Sequence, residues 1–258
     1  MPAPNRARII GTRHMAAAGH YLAAQTAFQI LEAGGNAVDA GVAGGIALGI
    51  VQSEYVNFAG VAPIMIYLEE SHEVVTISGL GNWPKAASLA VFQKDYGGSI
   101  PSGVLRTVIP AAPDAWITAL EKFGTMRFAD VSSAAIRFAR DGFPAPSLMC
   151  EIITKMQDKY RRWPSNADIY LPGDRPPKPG ERIVQSDLAD TMQYMVDEED
   201  AAKGGREVGL AAARNAFYRG DIAREIVRYH QTNGGWLSTD DLAEFRVGIE
   251  PPIKARFN

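Results

Sequence analysis

Few side chains in this sequence are spaced for chemistry of their own. The four histidines, His14, His20, His72 and His230, lie far apart, and no two have the spacing that sets a pair of metal ligands on one helix face. His72 falls in a hairpin turn, where it is expected to be solvated. His20 stands just before a helix, where capping or packing is expected. Cys150 has the chemistry of a nucleophile, but a lone buried thiol is the commoner state of an isolated cysteine. As the single cysteine it forms no disulfide within the chain and excludes a cysteine-based zinc site there. The neighbouring acids Asp240-Asp241 and Glu198-Glu199-Asp200 read as cap and solvated surface, and Glu69-Glu70 as a hairpin tip. Lys159, Arg161 and Arg162 read as one helix face in water. There is no H-E-x-x-H, no G-x-S-x-G and no glycine-rich phosphate loop with a lysine. No catalytic residue, metal or cofactor is therefore assigned to the chain from its own motifs.

The elements that would position a site begin with Tyr21 to Ala47, which read as two helices joined by a Gly-Gly turn. Ala24, Phe28 and Leu31, with Ala27 and Ile30 beside them, form an apolar face at helical spacing. Gly34 and Gly35 follow where a helix end favours positive φ, and Asn36 or Asp39 can cap what comes next. The second helix, Val38 to Val51, is almost wholly Ala, Gly, Val, Ile and Leu, so it is expected to be buried on all sides. A hairpin follows: Pro63 to Leu68, a turn at Glu69 to His72, then Glu73 to Ser78. Pro84 forbids a central strand in the next loop, and residues 95–113 read as loop and short strand. Helices are expected at Asp114–Phe123, Phe128–Asp141, Pro146–Trp163, Ser186–Glu199, Leu210–Tyr218, Asp221–Thr232 and from Ser238. The chain closes on an apparent strand, Val247 to Phe257. The expected organisation is one domain: an arm (1–13, with a short strand at Ile9-Ile10), core helices and hairpin (14–109), a mostly helical layer (110–245) and the final strand (246–258). One apolar helix, a hairpin and many amphipathic helices suit an α/β layered fold.

Composition narrows the class. The 258 residues are 47% hydrophobic and 21% charged with a formal charge of −3. That balance gives no basic excess for nucleic acid and no acidic tail. The apolar run from Ala37 to Val51 is shorter than the roughly 20 residues of a membrane span. The start lacks a basic region followed by an apolar one, so a cytoplasmic location is expected, or a periplasmic one if a leader has been removed.

The stretch HYLAAQTAFQILEAGGNAVDAGVAGGIALGIVQ resembles the start of the large subunit of γ-glutamyltranspeptidases, most specifically in AGGNAVDA, Ala33 to Ala40. LPGDRPPKPGERIVQSDLADTM (171–192), AFYRGDIAREIV (216–227) and GGWLSTDDLAEFRV (234–247) are similar to the same family in the same order, so the likeness covers about residues 14–256. The resemblance implies an N-terminal-nucleophile (Ntn) hydrolase fold, an αββα sandwich completed by a partner chain. In that family a precursor cleaves itself, and the threonine freed at the start of the small subunit becomes the nucleophile, its own amine serving as base. The chain then corresponds to the front of the large subunit and the nucleophile lies outside it. The partners implied are a small subunit with an N-terminal Thr and a small-molecule amide, in heterodimers that associate further. No cofactor is implied.

The departures from the family matter as much as the matches. Its D-x-R-E-x-A-P segment, whose arginine grips the α-carboxylate of the glutamyl group, is here Ser78-Gly79-Leu80-Gly81-Asn82-Trp83-Pro84. Leu80 stands in the arginine position and Gly81 in that of the glutamate. Leucine cannot replace a bidentate guanidinium. The family's glycine-rich E-P-H-x-x-G-I-G-G-G-G becomes Gln52 to Ala62, keeping only Gly60 of the glycine run. A γ-glutamyl substrate is therefore not expected. The acyl group is expected to be less polar, or to have its charge met by Arg106 or Lys85. Leu80, Gly81, Asn82, Trp83, Asn57 and Arg106 are the candidate substrate-binding residues. Simple loop packing competes for Trp83, and hydrogen bonds to the local turn compete for Asn57 and Asn82. Two further readings stay open: a non-catalytic homologue serving binding or assembly, and the same nucleophile turned to C–C bond cleavage.

Overall fold

A computed structural model describes residues 9–256 of the chain. Helix α1 spans Tyr21–Glu32 and α2 Ala37–Val51. His20 is the N-cap of α1, its Nδ1 accepting from the Leu22 N–H at 3.2 Å. The helix stops at Ala33, and Gly34 takes a φ of 93°, the left-handed conformation expected after a helix end. At the start of α2 the Asn36 side chain accepts from Val38 N–H and Asp39 N–H, while Asp39 accepts from Asn36 N–H, a reciprocal capping box.

The buried face of α1 differs from the expected one. Ala23, Thr26 and Ala27 are buried, whereas Phe28 is 44% exposed and rests against the His14 ring. The cause is close helix packing: a Cβ on Gly44 of α2 would lie 3.4 Å from the Ala27 methyl. The small residues face α2, and Thr26 satisfies its hydroxyl on the Leu22 carbonyl. Nor is α2 covered all round. Ala37 and Gly41 are exposed and Val38 and Gly45 only partly buried, along an apolar groove of about 550 Å³.

The opposite wall of that groove is β1 (Ile64–Leu68), which pairs antiparallel with β2 (Glu73–Ile77) from Ile64 opposite Ile77 to Leu68 opposite Glu73. Ile66 points into the core; Met65 and Tyr67 point outward and are exposed, the alternation of a half-covered sheet. The final strand is much shorter than expected. Only Ile249–Glu250 pairs with β2, because Pro251 and Pro252 have no N–H to continue a ladder. The order in this three-stranded sheet is therefore first hairpin strand, second, then this terminal one. Ile9 and Ile10 are exposed and form no strand, and residues 1–8 of the arm lie outside the described residues, as does Phe257.

The rest is helical: α3 (Leu89–Tyr96), α4 (Ala112–Phe123), α5 (Phe128–Asp141), α6 (Ser147–Tyr160), α7 (Pro164–Tyr170), α8 (Ser186–Ala201), α9 (Arg206–Tyr218), α10 (Asp221–Thr232) and α11 (Thr239–Glu244). α3 was not expected, and residues 95–113 hold a 3-10 turn at Val104–Arg106 rather than a strand. The expected helix to Trp163 breaks at Tyr160, and Pro164 opens α7 at the position where proline suits a helix start. A two-residue pairing of Phe143–Pro144 with Arg182–Ile183 closes the loop between α5 and α8. One continuous apolar core runs from Ala23 of α1 to Phe245.

Two buried carboxylates and a partly buried arginine tie these helices together. Asp39, fully buried, accepts from Thr125 N–H (2.9 Å), Thr125 Oγ1 (2.7 Å) and Met126 N–H (3.0 Å) as well as from Asn36. Glu199, expected at the solvated surface, is instead buried and caps α5, accepting from Phe128 N–H and Ala129 N–H. Arg206 donates to the Gly124 and Met126 carbonyls just beyond α4, where a cation suits the helix dipole.

Candidate active-site face

Beyond the hairpin, three segments converge through backbone hydrogen bonds. Ala62 N–H donates to the Gly79 carbonyl (2.8 Å), Ile109 N–H to the Asn82 carbonyl (2.8 Å), and Ala111 and Ala112 N–H to the Gly60 carbonyl (2.9 and 3.0 Å). The turn 57–60, the segment 79–82 and the entry to α4 thus form one platform. Two glycines make the approach possible. Gly79 has φ 52° and a Cβ there would lie 2.1 Å from the Ala62 carbonyl oxygen; Gly81 has φ 72° and its Cβ would lie 2.3 Å from that of Ile109. Gly81 is therefore fixed by backbone packing, which is a different reason from making room for a ligand.

Leu80, between these glycines, is 59% exposed. Asn82 is exposed, and its backbone carbonyl serves the platform. Trp83 is 41% exposed and sits edge-on to Phe92 at 5.8 Å, and Trp236 meets Phe92 edge-on as well at 5.1 Å, so loop packing accounts for its inner edge. The turn at Asn57 is closed by its carbonyl, which accepts from Gly60 N–H at 3.0 Å; the expected closure by the side chain is not what forms it. Arg106 lies on the 3-10 turn and donates to the Ile100 carbonyl at 2.8 Å.

Lys85 is committed elsewhere. Its Nζ meets Glu244 at 2.6 Å and its N–H donates to Asp241 at 3.0 Å. Asp241 also caps α11 through Ser238. Of the two cations expected to meet a substrate charge, Lys85 is held on α11, and Arg106 stays on the exposed face.

The platform rests on a buried brace that the sequence reading did not identify. At the first turn of α4, Asp114 accepts from Val247 N–H at 2.7 Å and pairs with Arg214 of α9, whose guanidinium also reaches the Phe245 carbonyl. Arg214 lies over the Tyr218 ring, 4.6 Å from its centre. The Tyr218 hydroxyl donates to the Pro110 carbonyl at 2.7 Å and accepts from Asp114 N–H at 3.2 Å. Burial pushes the Asp114 carboxyl up to about 6, against the Val247 N–H and the Arg246 guanidinium, which favour the ionised form. The brace joins the entry to α4, helix α9 and the segment leading into the last strand. A charged residue in the apolar run AAARNAFY was the available signal.

A second group lies on the other side of Asn57. Ser53, Glu54 and Asn57 face α6 and α7 across a cavity of about 460 Å³. Tyr170 donates its hydroxyl to Ser53 Oγ at 2.9 Å and its ring meets that of Tyr160 at 5.4 Å. Among the described residues no three His, Cys, Asp or Glu side chains form a metal-binding group, and no helix is long and apolar enough to cross a membrane.

Comparison with known proteins agrees with this architecture. A sequence model described as Gamma-glutamyltranspeptidase matches residues 23–258. The chain is 30% identical over 249 residues to the glutathione hydrolase-like YwrD proenzyme of Bacillus subtilis, covering 96% of this chain and 45% of that protein. It is 31% identical over 259 residues to the acylase ACY 1 proenzyme of Pseudomonas sp. strain SE83, covering 96% and 43%. The chain therefore spans less than half the length of these relatives. The crystal structure of Helicobacter pylori γ-glutamyltranspeptidase superposes with a TM-score of 0.85 at 26% identity, over 95% of this chain and 68% of that one. The helices and the three-stranded sheet are thus part of the Ntn-hydrolase αββα sandwich, and the chain belongs to the γ-glutamyltranspeptidase family.

Proposed function

We propose that this chain is the front of the large subunit of an Ntn hydrolase or acyltransferase that acts on an amide other than a γ-glutamyl compound. The observation that carries the reading is Leu80. It stands on the platform in the place of the family's carboxylate-binding arginine, exposed and apolar, and the neighbouring Lys85 is tied to Glu244. A bidentate grip on an α-carboxylate needs a planar guanidinium, and an apolar side chain there favours an acyl group without one. Its relatives carry both kinds of name, one an acylase and another glutathione hydrolase-like, so the reading rests on Leu80.

In this reading the nucleophile is the N-terminal Thr of a second chain freed from the same precursor. It attacks the amide carbonyl with its own amine as base, and backbone N–H groups hold the oxyanion. The acyl group passes to water or to an amine. The apolar groove between α2 and β1 is where the rest of the sandwich packs. Leu80, Asn82, Trp83, Asn57 and Arg106 line one wall of the pocket, with Gly81 shaping it.

The experiment compares γ-glutamyl-p-nitroanilide with a neutral acyl p-nitroanilide on the processed protein. Cleavage of the neutral anilide, with Leu80→Arg shifting preference toward the γ-glutamyl one, is the expected result. Efficient γ-glutamyl cleavage by the unaltered protein overturns the substrate assignment. Inertness toward both and toward a wider amide panel favours a non-catalytic homologue, the reading that the loss of both pocket motifs also allows.

A further inference from the structure

The cavity between the Ser53–Asn57 turn and helices α6 and α7 holds one Glu54 carboxylate oxygen that no group among the described residues bonds. Glu54 Oε2 is shielded from solvent and makes no hydrogen bond among the described residues. Burial pushes its carboxyl up from the ordinary glutamate value. An acceptor in that state is costly unless a donor comes to it. The Tyr170 hydroxyl, which also faces the cavity, is given to Ser53 instead. Around Glu54 stand the rings of Tyr160, Trp163 and Tyr170, with Ile152 and Met156 as an apolar wall. Aromatic faces beside a shielded carboxylate suit one ligand chemistry above others, an organic cation with an apolar body, because ring quadrupole and carboxylate attract the same charge.

We propose that this cavity binds a primary ammonium group carried on a compact apolar or aromatic body, with Glu54 as its anion. Asn57 belongs both to the cavity and to the turn that supports the platform. The loop before Arg106 also closes on it, since a Cβ on Gly103 would lie 3.5 Å from the Trp163 ring. The cavity is thus next to the face assigned to substrate, and the ammonium is carried by the amide substrate itself. That last assignment rests on the function proposed above; the binding does not. Lys159, exposed at the rim, opposes a cation from outside.

The test uses the whole processed protein, titrated calorimetrically at neutral pH with benzylammonium chloride and with benzyl alcohol as its neutral counterpart. Benzylammonium is expected to bind at least about tenfold more tightly, with the preference collapsing to within about twofold in Glu54→Gln. Tyr160→Leu, which keeps an apolar wall but removes a ring, weakens benzylammonium about three- to tenfold. Lys159→Gln tightens it. Glu54→Gln removes a partly buried carboxylate whose shielded oxygen has no partner, so its melting temperature is not expected to fall, and a fall would show that Glu54 is a structural anion instead. Equal binding of the two probes, no binding of benzylammonium, or a preference unchanged in Glu54→Gln overturns the site. A Glu54-dependent preference in a protein that cleaves no amide upholds the site and removes the enzyme reading. Cleavage of amides without any such preference does the reverse.

Discussion

Replacing Asp39 by Asn changes one atom in the AGGNAVDA segment and is expected to cost about as much stability as emptying a core position. Each Asp39 oxygen accepts two hydrogen bonds: Oδ1 from Thr125 N–H and Met126 N–H, Oδ2 from Asn36 N–H and Thr125 Oγ1. An asparagine must point its NH₂ at one of these pairs. The cheaper choice is the Oδ2 side, where the Thr125 hydroxyl can turn and accept, leaving the Asn36 N–H facing a donor. One charge-assisted bond lost and one buried donor unsatisfied come to about 3 kcal/mol. For a protein of this size that is roughly 6–12 °C in melting temperature. The assay is a thermal melt of the purified protein followed by circular dichroism at neutral pH. Thr125→Val, which removes one of the four bonds, should cost only about 1 kcal/mol. A shift under about 1 °C for Asp39→Asn would refute the claim that this carboxylate holds α2 to the end of α4, given the scale above.

The same carboxylate makes a pH prediction. Burial raises the Asp39 pKa, but the bonds from Thr125, Met126 and Asn36 outweigh it and hold it below the ordinary range. A depressed acid contributes stability above its unfolded value of about 4 and loses it as pH falls through the lower folded value. The melting-temperature gap between wild type and Asp39→Asn should be constant above about pH 5 and close below about pH 4, and a gap that widens on acidification contradicts this. Arg214→Leu leaves Asp114 buried without its partner and should cost about 3–5 kcal/mol, while Asp114→Leu with Arg214→Leu should cost less than the two singles summed, measured by denaturant midpoints. Gly81→Ala forces a methyl toward the Ile109 carbonyl at positive φ and should lower amide cleavage more than it lowers melting temperature; an active variant with normal loop packing contradicts the platform.

What could be read from the sequence was what neighbouring residues decide among themselves. The stop at Gly34-Gly35, a cap at Asn36 or Asp39, the hairpin and the Ser238–Asp241 cap are all settled within a few positions. The turn of α1 was misread because Ala23 and Thr26 gain more from close contact with Gly44 than Phe28 gains from burial, which only the neighbouring helix decides. α3 carried little signal because it buries one apolar residue, Phe92. Glu199 looked like surface among three acids until α5, some seventy positions away, supplied the N–H groups it caps. The candidate site was legible only as departures from a family pattern; the structure shows Leu80 exposed between Gly79 and Gly81, whose positive φ values a single sequence does not announce. The brace and the Glu54 cavity join residues about a hundred positions apart, and no local pattern records such pairs.

The central claim is that this fold serves a nucleophile freed at the start of a second chain. Intact mass with N-terminal sequencing of the native protein tests it most directly. The account predicts two chains, the second beginning with Thr. A single uncleaved chain, or a second chain whose first residue carries no hydroxyl or thiol, would contradict it.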